Sequence, residues 1–473
     1  MKIDEFSQLS LAELQSGFQN RSVSPSEVME LVLDQIEATH DQINALYGVR
    51  TGAARKEARA ATDRYAEGRP LSPFDGVPVT IKDSVNAVDM VWHHGSKIHG
   101  NGVVAQSDSP PVKRLKAAGA IIVGKGAMPD FGLSASGVSG SHGIVRNPWG
   151  LLWNTGGSSA GGSASVAAGI AMMSVGSDIA GSVRLPAGHC GLAALKPTQG
   201  VIPHTPASTV RSAGPITRRA ADLHAWAQLL SGPDDADRYS MPYSDCGLDG
   251  QIRVGATCDF GFGPETEPAV ESCFRNVCTA LEALVGEVRD IDQKAEFDAF
   301  LPIDASLKLR GWREYINARE ELRCRTPEEL HEWFREAEGW TSQTLHNIET
   351  GIERGVAYCV DLLSDIDVLV TPVMPIVNFP AEQRGIDPSM PLRHTTFTSL
   401  FNQAGNPAVS ICGGFDERGL PIGVQLVGKR LDDARVIRLA AALEAKLDIY
   451  GPNKKHWPTR PVTYSKMRSG LII

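Results

Sequence analysis

The sequence predicts an α/β fold, in which helices cover both faces of a central and largely buried β-sheet. Composition is the first reason: of 473 residues, 42% are hydrophobic and 21% are charged, which is typical of a globular protein and excludes general disorder. The second reason is that helical patterns alternate along the chain with short apolar runs, as in a sheet between layers of helices. No linker or fixed-period repeat divides the chain, so we predict a single domain over residues 1–473.

Residues 1–70 are predicted to form an N-terminal helical part. Ser24 is suited to cap a helix, Pro25 to its first turn, and Glu27 to completing a capping box. Apolar residues then recur along one face of this helix, at Val28, Leu31, Val32 and Ile36. An alanine-rich and charged segment at residues 53–68 predicts a further helix.

Residues 71–292 and 366–473 carry the predicted α/β core. Its strands are predicted in short apolar runs, at residues 77–81, 120–123, 172–176, 192–195, 252–256, 368–371, 408–411 and 422–427. A helix is expected to begin at Ser109-Pro110 and to end at Gly119. Residues 293–365 differ, because they are helical in pattern, charged and rich in aromatic residues, and they are predicted to form a helical insertion.

Charge and hydropathy exclude two classes of partner. Lysine and arginine number 46 against 55 acidic residues, a formal net charge of −9, so no overall positive field is available to hold a nucleic acid. No apolar run approaches the roughly 18 residues needed to cross a bilayer, and the first residues lack the apolar core of a secretory signal. Eight cysteines without a Cys-x-x-Cys motif fit reduced thiols. We therefore expect a cytoplasmic protein that binds neither nucleic acid nor membrane.

A Gly/Ser-rich stretch, Gly-Gly-Ser-Ser-Ala-Gly-Gly-Ser at residues 156–163, is the first candidate for chemistry. No Gly-Lys-Ser/Thr follows it, so a phosphate loop fits poorly. It contains Gly-x-Ser-x-Gly, which would make Ser159 the nucleophile of a serine esterase on a strand–turn–helix elbow. Such an elbow needs a strand directly before it, whereas residues 146–150 have the composition of a loop. A flexible linker is the other alternative.

Two further stretches carry residues suited to acyl transfer. Residues 176–186 pass from a strand into Asp-Ile-Ala-Gly-Ser, where small residues let several backbone N–H groups converge beside the hydroxyl of Ser182. Fixed donors of this kind stabilise the anion of a tetrahedral intermediate. The alternative interpretation is a buried tight turn, which has the same composition. Lys82 ends the apolar run in residues 76–83, and it is either a surface lysine or a buried one that loses its proton and acts as a base.

Taken together, the three stretches resemble the amidase signature family. The likeness lies in the order Gly-Val-Pro-Val-Thr-Ile-Lys-Asp, Gly-Gly-Ser-Ser-Ala-Gly-Gly-Ser and Gly-Ser-Asp-Ile-Ala-Gly-Ser-Val-Arg-Leu-Pro-Ala, and it continues in Leu-Lys-Pro-Thr at residues 195–198. It returns in Gly-Asn-Pro-Ala at 405–408 and Gly-Leu-Pro-Ile-Gly-Val-Gln at 419–425. The resemblance covers about residues 5–215 and 365–445. It implies the family's α/β/α sandwich around a mixed central sheet.

The resemblance also implies a Ser–Ser–Lys triad that hydrolyses amides through an acyl-enzyme. On the matching positions Ser182 is the nucleophile, Ser158 is the bridging serine and Lys82 is the base. In the family, the bridging serine follows a cis peptide bond. The oxyanion hole maps to four consecutive backbone N–H groups, those of Ile179, Ala180, Gly181 and Ser182. Lys82 can act as a base near pH 7 only if its pKa falls by about 3 units from its usual value. We therefore expect Lys82 to be buried and Asp83 to point away from it.

Within the family, the residues favour a stand-alone amidase over the glutaminase A-type subunit of a tRNA-dependent amidotransferase complex. That subunit typically has a threonine and paired glycines where this chain has Ile179, Ala180 and Gly181. Leu185 replaces a glutamine usual in the subunit, and residues 125–131 lack its expected Asn and Glu. The glutaminase subunit is kept as an alternative function, beside the serine esterase with its nucleophile at Ser159.

The expected substrate is a small-molecule amide, with carbamates, anilides and esters as alternatives. The helical insertion should supply much of the pocket, so its aromatic side chains are candidates to face substrate, and ordinary helix core is their other interpretation. The pocket candidates are Met128, Trp312, Tyr315, Trp333 and Trp340. An aromatic lining would favour aryl amides over acetamide.

No metal and no cofactor are predicted. His331-Glu332 lacks the second histidine of a zinc-protease helix, and His93-His94 has no recognisable partner ligands in the sequence. Assembly into a homodimer is left open.

Overall fold

The computed structural model describes residues 1–245, 247, 250–450 and 454–463. Its α-helices are, in chain order, α1 Ile3–Gln8, α2 Leu11–Gln19, α3 Pro25–Ile43, α4 Thr51–Ala66, α5 Pro110–Ala117, α6 Ala160–Ala167, α7 Arg184–His189, α8 Ala220–Leu230, α9 Pro268–Val285, α10 Phe300–Asn317, α11 Glu320–Arg323, α12 Glu328–Phe334, α13 Ser342–Leu362, α14 Thr396–Gln403 and α15 Asp433–Leu447. Short 3₁₀ turns lie at Lys97–His99, Asp130–Gly132, Arg335–Gly339 and Arg393–Thr395.

The strands are, in chain order, β1 Leu46–Tyr47, β2 Pro78–Lys82, β3 Val91–Trp92, β4 Val103–Val104, β5 Ile121–Gly126, β6 Val138–Ser139, β7 Gly143–Ile144, β8 Arg146–Asn147, β9 Gly150–Asn154, β10 Met173–Asp178, β11 Ala193–Lys196, β12 Ser212–Thr217, β13 Val254–Ala256, β14 Val288–Asp290, β15 Val368–Pro372, β16 Ala408–Phe415 and β17 Pro421–Gly428. An 11-stranded sheet has the order β1-β5-β2-β10-β12-β11-β16-β17-β15-β13-β14, and β3–β4, β6–β7 and β8–β9 form separate pairs.

The large sheet is mixed and buried, as predicted. Strand β2 runs parallel to both β5 and β10, β13 runs parallel to β14 and β15, and the other pairs are antiparallel. Every residue of β2, β5 and β10 is buried. Strands buried on both faces do not need to alternate apolar and polar residues. Strand β5 accordingly begins with the apolar run Ile-Ile-Val, whereas β10, Met-Ser-Val-Gly-Ser-Asp, is buried with small polar residues among its apolar ones.

Helices pack on both faces of the sheet. Leu195 of β11 belongs to the same hydrophobic cluster as Leu223 of α8 and Leu443 of α15. Its neighbour Ala194 belongs to another cluster, with Val166 of α6 and Ala187 of α7. Because successive side chains of a strand point to opposite faces, these two clusters are the two sides of an α/β/α sandwich.

The capping box predicted at α3 is present. The side chain of Ser24 accepts a hydrogen bond from the Glu27 N–H at 3.2 Å, and Glu27 accepts one from the Ser24 N–H at 2.7 Å. Two backbone donors at the start of the helix are thereby satisfied. The helix ends at Asn44, which adopts the left-handed conformation that closes many helices.

Each predicted strand has a counterpart in the sheet, but some elements escaped prediction. The helical interpretation of residues 1–70 omitted β1, a two-residue edge strand paired with β5. Strand β12 was missed although it lies between β10 and β11. Its Gly214 and Pro215 argue against a central strand, and only its neighbours on both sides hold it in the sheet. Residues 293–365 contain helices α10 to α13, as predicted.

Two further expectations concern thiols and membrane contact. The described cysteines are free thiols, which fits reduced cysteine, and Cys246 lies outside the described residues. Among the described helices, none combines the length and the apolar character needed to span a bilayer.

Candidate active site

Lys82 is the last residue of β2, and its amine lies within the protein. Its side chain is only 2% exposed. Nζ lies 2.8 Å from Ser158 Oγ, 3.1 Å from Ser177 Oγ and 3.2 Å from the Ser177 carbonyl oxygen. The two strands involved, β2 and β10, are parallel neighbours, so their carboxyl ends lie at the same edge of the sheet, where α/β proteins commonly bind ligands. Ser177 is a partner of Lys82 that the sequence did not indicate.

The electrostatic environment favours the uncharged form of Lys82. Its pKa is lowered from 10.5 to about 7, mainly by burial; the cations Arg310 and Arg211 also act to lower it, whereas Asp178 and Asp83 act to raise it. An amine with a pKa near neutrality is half deprotonated at pH 7 and can accept a proton. Lys82 therefore has the burial and proton affinity expected of a base.

The carboxylate of Asp83 points away from the lysine, as predicted. It accepts hydrogen bonds from the Tyr47 hydroxyl at 2.5 Å and from the backbone N–H groups of His93 and Gly95 at 2.8 and 2.7 Å. Burial acts to raise the pKa of Asp83, but Lys125 and these donors keep it below its usual value. Its charge is thus satisfied mainly by these donors and by Lys125, and among the causes that act on the pKa of Lys82 its opposing effect is smaller than that of burial.

Ser158 and Ser182 lie at one small cavity, together with Lys82. Ser158 follows a cis peptide bond from Gly157, and the carbonyl oxygen of Ser182 accepts a hydrogen bond from the Ser159 N–H at 3.1 Å. Within the described residues no hydrogen bond joins Ser158 Oγ to Ser182 Oγ. The Lys82–Ser158 contact is therefore formed, and the contact between the two serines is not. Catalytic hydrogen bonds are often longer in free enzymes than in substrate complexes.

The loop that carries Ser182 folds around the carboxylate of Asp178. Asp178 accepts hydrogen bonds from the N–H groups of Gly181 at 2.7 Å and Val183 at 3.1 Å. The Gly181 N–H is therefore already engaged, and its predicted role in the oxyanion hole is corrected. The predicted N–H groups of Ile179, Ala180 and Ser182 stay as candidates.

A buried arginine, which the sequence analysis did not single out, fixes this carboxylate. Arg184 donates to Asp178 through Nε and Nη2, each at 3.1 Å. Burial acts to raise the pKa of Asp178, but Arg184 keeps it well below its usual value. Arg184 also donates to Asn402 Oδ1 at 2.6 Å and to Gln425 Oε1 at 2.9 Å. A signal was available, because Arg184 and Gln425 both lie in the segments that carry the family resemblance.

The cavity at the predicted triad is small, and its lining differs from the prediction. Met128 lines it, but Trp312, Tyr315, Trp333 and Trp340 do not. The insertion instead contributes Arg310 from α10, and Arg211 and His94 add further basic groups. A larger cavity, bounded in part by Leu133 and Arg384, contains no triad residue.

The aromatic candidates of the insertion occupy other positions. Trp333 is buried in a hydrophobic cluster and donates from Nε1 to Asp304 at 3.3 Å. Trp312 stacks on Tyr315 with ring centroids 5.5 Å apart, and Tyr315 packs against Phe334. These residues pack the helices of the insertion together, so the prediction that aromatic residues of the insertion line the cavity was wrong; its aromatic lining residue is Phe131. Trp340 is half-buried and also lies outside the lining.

One group of side chains has the composition of a metal site. Ligand atoms of His94, His99 and Glu314 lie within 4.8 Å of one another. The expectation that His94 lacks partner ligands is wrong, because α10 brings Glu314 to it, with Nδ1 3.0 Å from Oε2. Arg310 also contacts Glu314, at 3.4 Å, and its positive charge opposes a bound cation. That the protein needs no metal stays a prediction.

The alternative nucleophile Ser159 lacks the surroundings of an esterase elbow. A strand, β9, does precede the Gly/Ser-rich stretch, contrary to expectation, but it belongs to a separate two-stranded sheet. Ser159 Oγ is buried against Gly176 and has no hydrogen-bond partner among the described residues, so no histidine activates it. It also does not line the cavity at the triad.

Known proteins resemble the chain over nearly its whole length. A sequence model of the protein family described as Amidase matches residues 27–437. The A-type subunit of a glutamyl-tRNA(Gln) amidotransferase from Anaeromyxobacter sp. (strain K) is 32% identical, over 94% of this chain and 97% of that protein. An acylamidase of Rhodococcus erythropolis is 30% identical, over 92% and 95%.

A solved structure agrees with the fold. The crystal structure of a bacterial aryl acylamidase of the amidase signature family superposes with a TM-score of 0.83, at 23% identity, over 93% of this chain and 96% of the other. Both chains therefore share the same sandwich and the same large mixed sheet.

Proposed function

The chain belongs to the amidase signature family and hydrolyses carbon–nitrogen amide bonds, and from this premise we propose that it does so through an acyl-enzyme on Ser182, with Lys82 as the base and Ser158 as the bridging group. The observation that supports this most directly is the 2.8 Å contact between Lys82 Nζ and Ser158 Oγ. A buried amine whose pKa is near 7, in contact with a serine beside a second serine, is an arrangement suited to proton relay.

The first half of the reaction follows from these positions. Ser182 Oγ attacks the substrate carbonyl carbon while its proton passes to Ser158, and Ser158 gives its own proton to neutral Lys82. The negative charge that develops on the carbonyl oxygen is met by the N–H groups of Ile179, Ala180 and Ser182. The C–N bond then breaks, and the proton returns through Ser158 to the departing amine. The acyl group is left as an ester on Ser182.

The second half repeats the relay with water as the attacking group. Water loses a proton through Ser158 to Lys82 and attacks the ester carbonyl, and the proton is returned to Ser182 Oγ as the carboxylic acid leaves. No net proton stays on the enzyme, so the lysine is ready for the next cycle.

A covalent probe identifies the nucleophile. A fluorophosphonate reacts with activated serines, and mass spectrometry of the digested protein locates the adduct. We expect the adduct on Ser182, and we expect Ser182→Ala to lose both labelling and amide hydrolysis while Ser159→Ala keeps both. An adduct on Ser159 would support the esterase alternative instead, and an unlabelled wild-type chain would contradict the proposed acyl-enzyme.

We further propose that the chain works alone on a small amide. The substitutions at Ala180 and Leu185 relative to the glutaminase subunit support this. The second candidate is that glutaminase subunit, which the 32% identity with its counterpart from Anaeromyxobacter favours. Hydrolysis of small amides by the purified chain supports the first candidate, and activity that arises only when the other amidotransferase subunits are added supports the second.

A further inference from the structure

Two arginines face the catalytic cavity from different parts of the chain. Arg211 comes from the loop before β12, and Arg310 comes from α10 in the helical insertion. Like charges near one another disfavour both charged forms. Accordingly, burial and the neighbouring Arg310 lower the pKa of Arg211 to about 10. At this value Arg211 is still cationic at neutral pH, and it lines the same cavity as the amine of Lys82.

The acidic groups nearby do not balance this charge. Arg310 contacts Glu314 at 3.4 Å, and Glu314 is shared with His94. Arg211 has no ion-pair partner among the described residues. Its Nη2 donates to the Pro206 carbonyl at 2.6 Å, and its Nε is buried without a hydrogen-bond partner. The cavity therefore contains one guanidinium, that of Arg211, on which Glu314 and Asp237 act electrostatically but which no carboxylate of the described residues contacts as an ion pair.

We propose that Arg211 and Arg310 form a subsite for a carboxylate group of the substrate, so that the preferred substrates are small amides that carry a carboxylate. This inference deepens the proposed function and rests on it. A guanidinium presents planar paired donors that match a carboxylate in a way few other groups do.

A carboxylate bound at this subsite should change the pKa of the proposed base, Lys82. Arg310 and Arg211 repel a proton on Lys82, and Asp178 and Asp83 attract one; the buried His204 also interacts with the amine, but its own pKa lies well below its usual value. A bound carboxylate cancels part of the repulsion, so it raises the pKa of Lys82 in the complex. Since kcat reports the complex and kcat/KM the free enzyme, the acid limb of kcat should lie at higher pH than that of kcat/KM. A neutral amide should show no such separation.

The direct test compares matched substrates. Malonamate, succinamate and glutaramate each differ from the corresponding diamide only in a carboxylate that replaces a carboxamide, and the three lengths sample the span from the subsite to Ser182. We expect the best carboxylate to exceed its diamide in kcat/KM by at least about tenfold, after correction for the two amides of the diamide. Equal or faster hydrolysis of the diamides would overturn the proposal.

Substitutions of the two arginines test whether they cause the preference for the carboxylate substrate over the diamide. Arg211→Gln and Arg310→Gln should each lower the carboxylate-to-diamide ratio by about 10- to 100-fold, and Arg211→Lys should lower it less. The control is Arg69→Gln, at an exposed arginine paired with Glu67, which should leave the ratio unchanged. A loss shared equally by both substrates would assign the arginines a structural role and contradict the subsite.

A binding experiment separates this proposal from the proposed function. Ser182→Ala cannot form the acyl-enzyme, so calorimetry can measure binding of succinamate and succinamide without turnover. We expect tighter binding of succinamate, and loss of the difference when Arg211→Gln is added. If the wild-type chain neither hydrolyses amides nor labels at Ser182, the proposed function fails, while the binding difference still decides the subsite. Equal binding of the two ligands would overturn the subsite alone.

Discussion

The carboxylate of Asp178 accepts a 2.7 Å hydrogen bond from the N–H of Gly181, the residue directly before the proposed nucleophile. This contact ties the loop back to the end of β10, and the charge that forms it is balanced by Arg184 in the interior. The position of Ser182 thus depends on a buried ion pair, and the dependence can be measured.

Replacing Asp178 should therefore destabilise the protein and abolish activity. Asp178→Asn leaves Arg184 buried without a counterion, and breaking a buried pair in this way costs about 3–5 kcal/mol in the free energy of unfolding. Denaturant unfolding and amide hydrolysis measure the two effects. Glu67→Gln is the control, since it removes an exposed pair with Arg69 that contributes at most about 1 kcal/mol. A stable and active Asp178→Asn protein would contradict this interpretation of the loop.

Activity should depend on the protonation of Lys82. The relay needs the neutral amine, and the pKa is about 7, so kcat/KM for a neutral amide should fall tenfold per pH unit below pH 7 and level off above it. Lys82→Ala should lower kcat/KM by about 10²- to 10⁴-fold and remove this limb. Lys116→Ala, at a partly exposed lysine paired with Asp108, serves as the control. A wild-type profile that is flat between pH 5 and 8 would argue against Lys82 as the base.

The same lysine should reduce stability. Its pKa is about 7 in the folded protein and 10.5 when exposed, so between these values the unfolded chain binds more protons. The contribution of Lys82 to stability thus rises with pH across this window and is least favourable below pH 7. Lys82→Met should raise the free energy of unfolding by a few kcal/mol at pH 7 and by less at pH 10. An equal effect at both pH values would show that Lys82 is not titrating in this range.

Gly181 should tolerate no side chain. Its φ is +120°, and a Cβ there would collide with Thr398 Oγ1 and Leu185. Gly181→Ala should cost about 1–3 kcal/mol of stability and lower kcat/KM by at least about tenfold, because the adjacent Ser182 is displaced. The matched control is Gly52→Ala in α4, where a Cβ meets no atom within 4 Å, and which should stabilise the protein by about 0.5–1 kcal/mol. Similar outcomes for the two variants would refute the argument from backbone geometry.

The elements that the sequence predicted well are those whose signal is local. Strand β5 begins with the continuous apolar run Ile-Ile-Val, and the capping box at Ser24 lies within four residues of chain. The resemblance to the amidase signature family singled out Lys82, Ser158 and Ser182, and their catalytic roles stay a proposal. The burial of Lys82 also followed from the chemistry required of it, since only a desolvated lysine is a base near pH 7.

What escaped prediction depends on contacts between distant segments. Strand β12 contains Gly214 and Pro215, which disfavour a central strand. It is a strand because it pairs with β10 on one side and β11 on the other. Arg211 and Arg310 are ordinary residues of their own segments, and only the folded chain brings them to one cavity. Conversely, Trp312 and Trp333 were assigned to the pocket by residue type, which does not specify which face of a helix turns toward substrate.

The hydrogen-bond partners of Arg184 determine the stage of synthesis at which the chain can first be active. Asn402 and Gln425 are made more than 200 residues after the arginine they hold. A growing chain that already contains Lys82, Ser158 and Ser182, the three proposed catalytic residues, therefore still lacks the groups that hold the loop of Ser182 in place. We expect nascent chains shorter than about 425 residues to be catalytically silent. Hydrolysis would then begin only when the second half of the sheet has joined the first.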